Sequence, residues 1–126
     1  MDADSRAVFQ RDVFPDVRLC GQYGSTMILG GAMERPGDGF GPCVFDSFSP
    51  HVTFDVVHPE TFEDVADGER GQVVMHHISR SFLLPNNLER DEATRIPPLP
   101  GAFGVAVADV TPVAVFDQTK VIEGVY

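Results

Sequence analysis

Val52, Phe54 and Val56 alternate with Thr53 and Asp55, the period of two that gives a strand one core face and one polar face. Two further stretches read as strands by their β-branched content, Val73–Ile78 and Val105–Val110, and the run Val113-Ala114-Val115-Phe116 follows Pro112. Asp67-Gly68-Glu69-Arg70-Gly71 supplies the residues of a tight reversal and predicts a hairpin turn between the first two strands. Ahead of them, Ala7, Val8, Phe9, Val13 and Phe14 are spaced among charged residues as in a short amphipathic helix, begun by a Ser5 cap and closed by Pro15. Val17–Cys20 then reads as a short strand. Gly24, Gly30 and Gly31 mark turns around Tyr23.

Met33–Pro42, rich in Gly and Pro, predicts a loop, as do Pro97, Pro98 and Pro100. Glu89–Glu92, with Arg90 and Arg95, reads as an exposed charged turn. The predicted class is α+β, mainly antiparallel β, in a single partial domain. Residues 1–42 hold a helix, a strand and a loop, and residues 43–126 form a barrel-like part. Val73–Ile78 and Val105–Val110 are apolar on both faces, and such strands need cover on both sides. The chain is therefore expected to leave one apolar face for a partner or for self-association.

Composition narrows the partners. The 126 residues carry a net charge of -10, which opposes the clustered Lys and Arg that a nucleic-acid surface needs. No apolar run reaches the ~20 residues of a membrane span, and the acidic N-terminus lacks the features of a secretory signal. The expectation is a soluble cytoplasmic protein, with Cys20 and Cys43 as reduced thiols. His76 and His77 are adjacent on a predicted strand, so their rings point to opposite faces and cannot share one metal. His51, His58, Asp46 and Asp55 show no metal-ligand spacing, and no metal site is expected.

Two segments carry a resemblance. One is Gln22-Tyr23-Gly24-Ser25-Thr26. The other runs from Val56 to Ile96, with Val56, Pro59-Glu60-Thr61, Val65, Gly68, Glu69, Gly71, Val73 and Val74 in ungapped register, while His58, Phe62 and Gln72 stand where the pattern has Asp, Gly and Glu. Together they resemble the adenylate-forming synthetases, especially the phenylacetate-CoA ligase-like branch and its phenazine antibiotic biosynthesis relatives. The resemblance covers about Ser5 to Val125, and the members of that family are several times longer than this chain. It implies the later part of the large domain of such an enzyme: the end of a β-sheet followed by a distorted β-barrel.

The resemblance also implies a chemistry. Family members use ATP to convert a carboxylic acid to its adenylate. A Tyr-Gly-x-Thr-Glu motif presents a ring to adenine, a hydroxyl to the α-phosphate and a carboxylate to magnesium. Tyr23, Gly24, Ser25 and Thr26 match the first four positions, and Met27 stands where the family has Glu. A thioether is a poor ligand for a hard cation. A second family motif supplies an Asp that accepts hydrogen bonds from the ribose hydroxyls. The ungapped position is Glu92 and its neighbour is Asp91, and the spacing leaves both open. A third has an Arg that contacts ribose, where Ile122-Glu123-Gly124 is followed by Val125. The phosphate loop and the C-terminal domain of the family have no counterpart here. The expected function is thus a fragment or split part of an acyl- or aryl-adenylate-forming ligase, inactive alone. ATP or AMP is its cofactor, and an N-terminal ligase half or a second copy is its partner. The alternative is a small non-enzymatic β-barrel acting as a binding or interaction module.

Overall fold

The computed structural model describes residues 3–37, 41–116 and 119–120. A helix, α1 (Ala3–Val8), continues into a π-helical turn, Phe9–Val13. Seven strands follow: β1 (Gln22–Tyr23), β2 (Ala32–Glu34), β3 (Val44–Ser47), β4 (Val52–Val57), β5 (Arg70–Ile78), β6 (Leu83–Ile96) and β7 (Phe103–Pro112). They form one sheet in the order β1-β2-β3-β7-β6-β5-β4. Every pairing is antiparallel. A separate two-stranded ribbon joins β8 (Val115–Phe116) to β9 (Thr119–Lys120). The expected motif at Ile122–Val125 lies outside the described residues.

The three strands that the hydrophobic pattern predicts are all present. In β4, Val52, Phe54 and Val56 are buried while Thr53 and Asp55 are half-buried. The turn is confined to Asp67–Gly68, since Arg70 and Gly71 already belong to β5. The sheet curls strongly. The ring of Tyr23 in β1, at one end of the strand order, lies 5.6 Å from Phe54 in β4 at the other end. At Gly104 of β7 (φ +72°), an added Cβ would stand 2.9 Å from the Phe54 carbonyl oxygen. Only glycine lets the two backbones come this close at a positive φ. One core fills the inside of the curl: Tyr23, Ile28, Ala32, Val52, Phe54, Val56, Val73, Met75, Ala93, Val105 and Val107.

Several expectations are corrected. Val17–Cys20 is not a strand. Its backbone is held by helix side chains instead: Gln10 donates to Val17 O at 3.0 Å, its Oε1 accepts from Leu19 N–H at 3.1 Å, and Arg6 donates to Leu19 O at 3.2 Å. The helix begins by Ala3, before Ser5, and its polarity is the reverse of the expected one. Arg6 is buried, while Val8, Phe9, Val13 and Phe14 are exposed. Met33 and Glu34, the start of the predicted loop, belong instead to strand β2.

Glu89–Glu92 is not a turn. It lies within β6, which at fourteen residues is the longest strand described. Ladders on both sides, to β5 and to β7, hold it extended despite its polar sequence. Lastly, Val73, Val74 and Met75 are all buried, as are Val105–Ala108. Along these stretches both faces of the strands are withdrawn from solvent, while Ile78 and Phe103 at the strand ends are exposed.

Candidate functional site

Tyr23 ends β1 and the chain then loops out to Gly31. The base of this loop is very tight: an added Cβ at Gly31 would stand 2.5 Å from the Tyr23 carbonyl oxygen, and one at Gly24 2.8 Å from that of Gly30. Both glycines are therefore required by backbone packing, whatever else the loop does. Within the loop, Ile28 is buried and acts as an apolar anchor, while Thr26, Met27 and Leu29 are exposed. Met27 N–H donates to Ser25 Oγ at 3.2 Å, and Leu29 N–H donates to Nδ1 of His77 at 3.1 Å.

The loop faces an irregular part of β6. Gln72 pairs with Glu92 and Val74 with Leu88, so two steps along β5 span four along β6. This bulge contains Glu89, Arg90 and Asp91. A second bulge lies at Asn86, whose φ is +56°. Bulges bend a strand and re-aim its side chains, and they recur beside functional sites. Here Asp91 Oδ2 accepts a hydrogen bond from the Tyr23 hydroxyl at 2.9 Å. The Glu89 carboxylate accepts from the Asn87 amide and lies near Ser25. Burial pushes the Glu89 carboxyl above its ordinary pKa, and the negative charge of Asp91 adds to this. Ser25, the Asn87 amide and the charge of Arg90 oppose the shift.

Of the sequence-predicted residues, the structure thus brings Tyr23, Ser25 and Asp91 together. Gly24 shapes the loop and Thr26 stands exposed on it. Glu92 follows Asp91 directly, and neighbours on a strand point to opposite faces. Its carboxylate meets Arg70, with Arg70 Nε to Glu92 Oε2 at 3.5 Å. The position of Tyr23 corrects the expectation of a free adenine platform. The residue is 8 % exposed, and its ring lies between Phe45 and Phe54, with centroids at 5.8 and 5.6 Å. Sequence reasoning missed Glu89, Asn87 and His77. Pro85-Asn86-Asn87 is a local signal of a break in β6, since Pro lacks an N–H for the ladder and Asn tolerates a positive φ.

Two groups implied by the resemblance can be tested against these side chains. A nucleotide's ribose fits in part: Asp91 has one oxygen and several lone pairs beyond the one taken by Tyr23, enough to accept from a diol. A metal ion does not fit, because Met27 offers no hard ligand. Among the described residues no group of three or more His, Cys, Asp or Glu is placed to hold one.

The two histidines of β5 do face opposite ways. Nδ1 of His76 accepts from Asn86 N–H at 2.9 Å while its Nε2 meets Asp55 at 3.0 Å. His77 is 4 % exposed, with its ring 4.9 Å from Phe82. His76 holds the second bulge of β6 and His77 holds the loop after β1, and both ring nitrogens of His76 are engaged. Cys20 and Cys43 are free thiols. Among the described residues no helix is long and apolar enough to cross a membrane. No family model matches the chain, and no curated protein matches it.

Proposed function

We propose that this chain is part of a ligase that activates a carboxylic acid as its adenylate, supplying one wall of the nucleotide site. The observation that carries the reading is the 2.9 Å hydrogen bond from Tyr23 to Asp91. It joins the Tyr-Gly-Ser-Thr loop to a carboxylate distant in sequence, at a strand bulge, where the resemblance calls for the two motifs to meet. Asp91 is then the acceptor for the ribose diol, and Thr26 the hydroxyl offered to phosphate. Tyr23 acts through its hydroxyl, as a prop for Asp91, because its ring belongs to the core. The curled sheet is compatible with the distorted barrel of such a large domain. Calorimetric titration with AMP and with a non-hydrolysable aryl-adenylate mimic tests the reading. Weak binding is expected, lost in Asp91→Asn and kept in His76→Ala, with no pyrophosphate exchange by the chain alone. A flat titration with both ligands sinks the nucleotide role.

The second reading, a protein-binding module, is favoured by the outward apolar side of the N-terminal helix, where Val8, Phe9, Val13 and Phe14 are each more than two-fifths exposed. It takes over if the titrations are flat.

A further inference from the structure

Leu29 is exposed on the loop that begins at Tyr23, and its amide points into the edge of an imidazole. A backbone N–H can only donate, so Nδ1 of His77 is the acceptor across the 3.1 Å contact. In the neutral ring the proton therefore sits on Nε2. The ring itself has little freedom. It is 4 % exposed, packs against Phe82 at 4.9 Å, and lies on β5 opposite Val52 of β4 and Leu84 of β6. The next loop residue is seated as closely, since a Cβ on Gly30 would stand 3.0 Å from Val52 Cγ2. The loop is thus held at its start by Tyr23 on Asp91, in its middle by buried Ile28, and at its end by His77. Thr26 stands between these anchors.

We infer that His77 is a positioning residue, whose Nδ1 fixes the Ser25–Leu29 turn and so sets where the Thr26 hydroxyl stands relative to the Asp91 carboxylate. This rests on the nucleotide-wall reading for its ligand, but the anchor can be measured without one. The first measurement is on unaltered ¹⁵N-labelled protein: a scalar coupling across the N–H···N bond, between the Leu29 amide nitrogen and His77 Nδ1. The second compares His77→Phe, which keeps a flat ring without an acceptor, with His77→Gln, whose amide oxygen can accept. The Leu29 amide should exchange about tenfold faster in His77→Phe, roughly the loss of one hydrogen bond. AMP affinity should fall by a similar factor, and His77→Gln should recover most of both. Exchange at Val107 in β7 reports whether each variant keeps its core.

Absence of the coupling, or unchanged Leu29 exchange in a folded His77→Phe, overturns the inference. Faster Leu29 exchange with unaltered AMP affinity overturns it too. Coupling and rescue in a protein that binds no AMP support the anchor and sink the nucleotide reading instead.

Discussion

The ring of Tyr23 belongs to the core and its hydroxyl to Asp91, so the two halves of the side chain can be separated by mutation. Tyr23→Phe keeps the ring and should cost about 1 kcal/mol, the ordinary worth of one hydrogen bond. Tyr23→Ala should cost about 3 kcal/mol or more, because it opens a cavity between Phe45 and Phe54. Urea unfolding of both variants checks this. Glu89 is the other instructive residue. Its carboxyl is raised by burial and by Asp91. A raised acid contributes stability that is full below its ordinary pKa and is lost as pH rises through the folded value. Glu89→Gln keeps an acceptor for Asn87 without the charge. It should match the parent near pH 4 and exceed it in stability at pH 7, as read by thermal unfolding across that range.

At the scale of elements, the helix is fastened by charge more than by apolar contact. The Arg6 guanidinium forks onto Glu34 of β2 and also donates to Leu19 O and to Cys43. Burial alone would raise the Glu34 carboxyl, but Arg6 and the Gly21 amide outweigh it and hold the pKa low. Asp46 of β3 is held low in the same way: burial opposes, while Arg35 at 2.8 Å and the Leu99 amide at 2.9 Å prevail. A depressed acid gives stability that is present above its ordinary pKa and lost as pH falls through the folded value. The protein should therefore weaken in acid, below about pH 4. Arg6→Leu leaves Glu34 buried without its partner and should cost about 3 kcal/mol. Amides of residues 3–13 should then exchange faster than those of β5, and part of the acid dependence should disappear. Unchanged exchange in the helix would show that its apolar contacts suffice.

Over the whole molecule, β7 packs closely on β4 at one glycine, Gly104. Gly104→Ala meets both a positive φ and the Phe54 carbonyl, and should cost at least about 2 kcal/mol. A melting temperature unchanged in that variant would show that the curl is loose there. What the sequence determined by itself was local. Alternation placed β4, valine-rich runs placed β5 and β7, and Pro97–Pro100 ended β6, because periodicity and backbone restriction act within a few residues. Tertiary structure decided the rest. β6 is a strand because two neighbours pair with it, and nothing in Asn86–Glu92 asks for one. Arg6 turns inward because Glu34 waits there, so the helix shows its apolar side to solvent. Between Asp91 and Glu92 the sequence offered no choice. The bulge in β6 and the pleat made it, turning one carboxylate to Tyr23 and the other to Arg70. Such contacts join residues far apart in the chain, and their partners exist only once the sheet has curled.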